Sequence, residues 1–251
     1  MEIEEAIKKT LAYAKKFGMK LRLEELTERL IGKRVYKKSE IKRAVKNMGL
    51  RFERQIREAT EKKMTKARRV AKMIAENDKN ILFLGVTGSV AGGKAKEDDD
   101  IDMMVICKKN RLWWGRWKLK IFLNKKRIRQ RKAGKKEQRN SFCFNLWLEE
   151  NSLEIPYLRQ NQKTATDLIL IKPIINKEKI YQKFLKENLW VKKWMATGYK
   201  NKKKGEGEIK KKNNFVLDII NLLMFWGQYI YMRAKIKGEL VELRRAFFHR
   251  K

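Results

Sequence analysis

The stretch from Ile81 to Ile106, ILFLGVTGSVAGGKAKEDDDIDMMVI, constrains this chain more than any other. An apolar run, Ile81 to Leu84, enters a turn at Gly88 and Ser89, a small polar loop follows, and Asp100-Ile101-Asp102 opens a second apolar run. Side chains alternate faces along a strand, so Asp100 and Asp102 project to one side while Ile101 and Met103 take the other. Two carboxylates held together repel unless a cation lies between them, and a hard, oxygen-seeking ion such as Mg²⁺ suits the pair. Glycine lets backbone come close to a ligand, the N–H groups of such a turn favour anions, and Ser89 adds a hydroxyl that can donate to a phosphate oxygen. The window reads as strand, phosphate-cradling turn and metal-binding strand. The plainer reading is a glycine turn feeding an acidic surface loop and an ordinary strand.

Gly88-Ser89, ten intervening residues, then Asp100-Ile101-Asp102-Met103 resembles the signature of the DNA polymerase beta-like nucleotidyltransferase superfamily. TGSVAGGKAKEDDDID is similar to a microbial subgroup of nucleotidyltransferase-domain proteins, as are LAYAKKFGMKLRLEEL, NRLWW and TATDLILIKP. The resemblance implies an α/β (α+β) fold, a small mixed sheet flanked by helices. It implies transfer of a nucleoside monophosphate from an NTP to an acceptor hydroxyl, on RNA or protein, with Mg²⁺ or Mn²⁺ as cofactor. Asp100 and Asp102 are then the catalytic metal ligands, and Gly88 and Ser89 hold the phosphates. Lys94 can add a point charge, though a loop lysine is usually only solvated. The superfamily usually places a third carboxylate on the neighbouring strand, and the alignment puts Asn145 there. An amide takes no proton, so Glu149, Glu150 or Glu154 serves, or a metal alone activates the acceptor, or the chain is catalytically dead. Asp167 falls where similar proteins carry an acid; its plainer reading is a solvated helix residue.

Charge is the second strong constraint. The chain has 251 residues, enough for one or two domains, and a formal net charge of +35. So basic a chain is drawn to polyanions, nucleic acid first and an anionic membrane surface a distant second; the plainer account is a lysine-rich solvated surface. A non-catalytic nucleic-acid-binding protein on the same scaffold is therefore the alternative function, though clustered acids gain such a surface nothing. Cys107 and Cys143 sit in apolar runs and read as buried free thiols of a reducing compartment, not a bridge or a metal pair. MEIEEAIKK carries no export signal, so the expected location is cytoplasmic. His249 is the only histidine, which excludes His-pair mechanisms and a zinc site built on histidine.

Three parts are expected along the chain: a helical, winged-helix-like unit over 1–50, the nucleotidyltransferase domain over 51–199, and a basic linker with an amphipathic helix over 200–251. In the first part, apolar spacing predicts helices ending at Gly18, Gly32 and Gly49, the third capped by Ser39. No hairpin follows Gly49, so a wing is missing, and a packed helical cap stands beside nucleic-acid binding as the unit's role. A long amphipathic helix from Phe52 to Ile74 should present its basic face outward beside the acids. Lys108 to Arg139 holds fifteen Lys or Arg residues against one acid, Glu137. Its apolar members suit a helix on the sheet, and its tail from Lys125 reads as a polyanion-binding loop. Trp113, Trp114 and Trp117 fit a core or a base-stacking platform. Phe142 to Leu148 is a strand with Cys143, Asn145 and Trp147 on one face. Lys200 to Lys212 reads as a linker. Phe215 to Met232, interrupted by Asp218, Asn221 and Gln228, reads as a buried or partner-facing helix rather than a membrane span, followed by the basic tail RRAFFHRK. Protein partners are left open.

Overall fold

A computed structural model of the chain describes residues 2–52, 57–131, 138–202, 215–234, 236 and 238–248. Its centre is a six-stranded mixed sheet in the order β4-β1-β2-β3-β6-β5. The strands are β1 (Ile81–Val86), β2 (Ile101–Cys107), β3 (Phe142–Glu149), β4 (Lys172–Asn176), β5 (Leu240–Val241) and β6 (Arg245–Phe247). Among the six strands of the described residues, only β2 and β3 pair in parallel. A parallel pair needs a crossover, and the helix α6 defined below supplies it. The α/β expectation holds.

Helices cover both faces of the sheet. On one side, α4 (Glu58–Asn77) and α6 (Leu112–Lys125) bury Val70, Ile74, Trp113 and Leu119 against Leu84, Met103 and Val105. On the other, α7 (Gln162–Leu170), α8 (Ile180–Glu187) and α9 (Lys192–Lys202) bury Ile169, Tyr181, Phe184 and Tyr199 against Phe83, Met104 and Ile106. The odd residues of β2 thus feed one core and the even ones the other. Asp100 and Asp102 head the even row, at the end where apolar packing stops.

The N-terminal helices α1 (Ile3–Lys16), α2 (Leu23–Arg29) and α3 (Lys38–Asn47) have a core of their own around Ile7, Leu26, Leu30 and Ile41. Gly18 and Gly49 end α1 and α3 at φ +65° and +63°, the left-handed turn glycine accepts most readily. Ser39 lies inside α3, whose cap position is Lys37. Gly32 is not a helix stop: it bridges Met195, exchanging hydrogen bonds with Trp194 and Ala196. No strand lies between α3 and β1 among the described residues.

Several expectations are corrected. The long helix is described only from Glu58, and Ile56 falls outside the described residues. Its cationic face is not all outward, because Lys63 is buried. Residues 132–137 of the basic tail, 203–212 of the linker and His249 lie outside the described residues, while Lys200 to Lys202 belong to α9. The segment RRAFF, expected only as part of a basic tail, is partly strand: Arg245–Phe247 adds β6 to β3. The helix α10 (Phe215–Arg233) lies on α6 but has only Asn221 buried. Its polar residues point inward. Asn221 Oδ1 accepts from the backbone N–H of Trp113 and Trp114 at 2.9 and 3.1 Å, Asp218 pairs with Arg111, and Gln228 Nε2 donates to Trp113 O at 2.9 Å. Its outer side leaves Phe215, Val216, Leu223, Trp226 and Ile230 exposed. By length and composition alone α10 could cross a membrane.

Candidate active site

The site is built where β1, β2 and β3 end side by side. Beyond β1, the four-residue helix α5 (Gly88–Ala91) turns the chain, and Thr87 N donates to Asp102 O at 2.9 Å. Gly88 has φ +62°, and a Cβ added there would lie 2.3 Å from Asp102 Oδ2. No side chain other than hydrogen fits between that backbone and that carboxylate. Ser89 follows, half-buried. A first helical turn leaves its N–H groups without intrahelical acceptors, a backbone suited to anions. The glycine-serine bend and the acid pair, separate in sequence, are thus brought together.

The strand β3 brings two groups to the acids: Asn145, which the resemblance puts on the neighbouring strand, and Cys143, which sequence reasoning did not place there. Asp102 is in register with Cys143, and ligand atoms of Asp100, Asp102 and Cys143 all lie within 4.8 Å of one another. Cys143 is therefore only partly buried, at the acids, while Cys107 is the buried thiol expected. Asn145 Nδ2 donates to Asp102 Oδ1 at 2.6 Å. The pairing shifts by one residue between Met103 and Met104, opposite Phe144 and Leu146, so Asn145 is the bulged residue. That bulge corrects the expected faces: Trp147 packs in the same core as Phe144, away from Cys143 and Asn145.

The electrostatics follow from this crowding. Desolvation first, and then the charge of Asp100, pushes the Asp102 carboxyl up to about 7, partly offset by Arg131, Cys143 and Asn145. Burial and the same two carboxylates raise the Cys143 thiol well above its ordinary value, so it is neutral and donates to Asp102. Arg131 is the cation facing the pair: its Nη1 donates to Asp100 Oδ2 at 2.9 Å. It is held there by a bridge between Gln130 and Phe142 and by Arg131 N donating to Phe142 O at 2.9 Å. The basic segment after α6 thus turns back onto the acids.

The acidic loop before β2 is fastened from α4. Lys63 Nζ donates to Glu97 O, Asp99 O and Asn140 Oδ1 at 2.9, 2.8 and 2.9 Å. All three of its donors are used, which accounts for its burial. Lys66 Nζ adds a bond to Asn140 O at 2.8 Å. On the other side, Arg29 of α2 donates to Gly92 O at 2.9 Å, so the N-terminal unit touches the loop that follows Gly88.

Glu149 is not brought to the acids. It is in register with Cys107, five residues down the strand from the Asp102–Cys143 pair, a distance of about 16 Å at the usual strand rise. There its Oε1 accepts from Arg111 N and Leu112 N at 3.0 and 3.2 Å, capping α6, and burial raises its pKa. Glu150 accepts from Lys109 N instead, at 3.0 Å, and the Glu154 carbonyl faces Arg245. The Lys94 ammonium sits 5.2 Å from the Phe17 ring centroid, on the N-terminal unit. Asp167 lies on α7 with part of its surface exposed, but desolvation raises its carboxyl to about 6, partly offset by Lys163 and Lys94, so it is not simply a solvated helix acid. The tryptophans divide: Trp113 is fully buried, whereas Trp114 and the exposed Trp117 stack with centroids 5.0 Å apart.

The structure thus sets two aspartates opposite a glycine-serine bend, at one end of a sheet backed by helices on both faces. Residues 67–191 match the family model described as nucleotidyltransferase domain. The match supports the nucleotidyltransferase superfamily for this part of the chain and, with it, a transferase in the general sense. No curated protein matches the chain. A solved structure, "Crystal structure of the toxin-antitoxin with AMP-PNP", aligns over 66% of this chain and 92% of its own at 10% identity. The TM-score is 0.27.

Proposed function

We propose that the protein transfers a nucleoside monophosphate from an NTP to an acceptor hydroxyl, with Mg²⁺ or Mn²⁺ seated on Asp100 and Asp102. The observation that carries this reading is the contact of Gly88 backbone with Asp102, inside a cluster whose ligand atoms lie within 4.8 Å of each other. Two carboxylates this close suit a hard divalent cation. Such an ion would neutralise charge that develops on the phosphates during displacement. The acceptor oxygen bonds to the α-phosphorus, the bridging oxygen leaves with pyrophosphate, and the acceptor's proton passes to solvent. Gly88 and Ser89 bind the phosphates through backbone and hydroxyl. Asn145 orients Asp102 by its short bond and takes no proton. Glu149 has no part in this scheme, and Lys94 has none in the arrangement described.

The N-terminal unit acts in this reading as a cap: Arg29 fixes Gly92, and Gly32 joins α9. The divisions at residues 50 and 199 are then functional parts of one globule. The test is Mg²⁺-dependent incorporation of labelled NTP into RNA, protein and small-molecule hydroxyls. Asp100→Asn and Asp102→Asn should abolish it while circular dichroism stays unchanged, and absence of transfer by the wild type with every NTP and acceptor sinks the reading.

Asn145 at the third acidic position and the charge of +35 favour one alternative, a nucleic-acid-binding protein that keeps the scaffold without the chemistry. Binding carried by phosphates weakens steeply with salt. Affinity that ignores salt, or its absence, removes this alternative.

A further inference from the structure

We propose that Arg131 is a removable internal counter-ion: it holds Asp100 while no divalent ion is bound, yields that oxygen when one enters, and then turns its guanidinium to the triphosphate. This rests on the reading of Asp100 and Asp102 as the cation seat. The geometry of the arginine is what points beyond it. Its Nη1 lies 2.9 Å from Asp100 Oδ2 and 4.0 Å from Cys143 Sγ. Both partners belong to the three-residue cluster, so the guanidinium stands at its edge, on a carboxylate of that cluster.

Charge decides the exchange. One guanidinium against two carboxylates leaves the pair under-neutralised, and a divalent ion at the same place contributes twice the charge at shorter range. Asp102 retains the bond from Asn145 throughout, so Asp100 is the carboxylate whose partner must change. The backbone of the arginine stays put in this exchange. Arg131 N donates to Phe142 O, and Phe142 N donates to Arg129 O, both at 2.9 Å. The side chain, 27% exposed, is the part able to rotate. Once released it remains beside the seat, and a planar fork of N–H donors matches phosphate oxygens better than any other side chain. Binding of the metal then prepares binding of the nucleotide, and by linkage the nucleotide tightens the metal.

The test uses the full chain, Mn²⁺ and a non-hydrolysable NTP analogue. Phenylglyoxal labelling of Arg131, read by peptide mass spectrometry, should rise when Mn²⁺ is added alone and fall when the analogue follows. By electron paramagnetic resonance, Arg131→Ala should bind Mn²⁺ about tenfold more tightly than wild type without nucleotide, and the analogue about tenfold more weakly with Mn²⁺ present. If Mn²⁺ binds wild type but not Asp102→Asn, and labelling of Arg131 is unmoved by Mn²⁺, the counter-ion role is wrong and the seat stands. If Mn²⁺ tightens in Arg131→Ala while analogue affinity is unchanged, the turn toward triphosphate is wrong. If neither wild type nor Arg131→Ala binds Mn²⁺, the seat and the proposal fail together. The labelling arm needs only wild type, so a folding defect in the variant does not rescue the idea.

Discussion

At Gly88 two requirements coincide: a left-handed backbone angle of +62° and a carboxylate oxygen where a Cβ would stand. Gly88→Ala should cost about 1 kcal/mol from backbone strain alone and should also push Asp102 away. The expected result is a loss of Mn²⁺ binding larger than the small drop in the denaturation midpoint, measured on the same sample. Asp102 carries a pH prediction. Its carboxyl is raised from 3.8 to about 7 in the fold, so the folded state keeps a proton that the unfolded chain has released. That contribution to stability is full below about pH 4 and is lost as the pH rises through about 7. Divalent affinity runs the other way, rising about tenfold per pH unit until the proton is gone. Melting in chelator and Mn²⁺ titration across this window, each compared with Asp102→Asn, check the two slopes. The acid pair and the glycine were legible in the sequence because their chemistry depends on spacing within one turn and one strand. Asn145 was legible only through the resemblance; Cys143 and Arg131 were not, because the register of a parallel strand brought back by a crossover helix, and the pairing of Arg131 with Phe142 at its start, set their meeting with the acids.

Among the elements, β3 shows most clearly where sequence periodicity stops informing. Alternation predicts Trp147 beside Cys143 and Asn145, but one bulged residue reverses the sides beyond Asn145. The same bulge is what leaves the Asn145 amide aimed at Asp102. Glu149, at the far end, illustrates how a plausible acid becomes a structural one. Its carboxylate satisfies two amides at the start of α6. Glu149→Ala should therefore destabilise the fold by about 1–3 kcal/mol through unsatisfied buried N–H groups without changing transfer per folded molecule. Denaturant curves with specific activity corrected for folded fraction separate that outcome from a catalytic role. On α4, Lys63→Met removes two bonds to the loop around Asp99 and one to Asn140. Weaker Mn²⁺ binding and faster amide exchange at residues 97–100 are the expected signs, since a methionine fills the space but holds no carbonyl.

The whole molecule combines a strongly basic exterior with a helix turned inside out. In α10 the polar residues serve the protein's own backbone and the greasy ones meet water, which helical periodicity could not show: it gave the stripe, not the side that faces in. Mutual repulsion from a charge of +35 keeps such flanks of separate molecules from meeting in dilute buffer. Added electrolyte shortens the reach of that repulsion, to about 3 Å at 1 M, while leaving apolar attraction intact. Solubility should therefore fall as ionic strength climbs, an inversion of ordinary salting-in. Replacing Leu223 and Trp226 by glutamate should restore clear solutions without shifting the unfolding midpoint, as turbidity and melting curves would record.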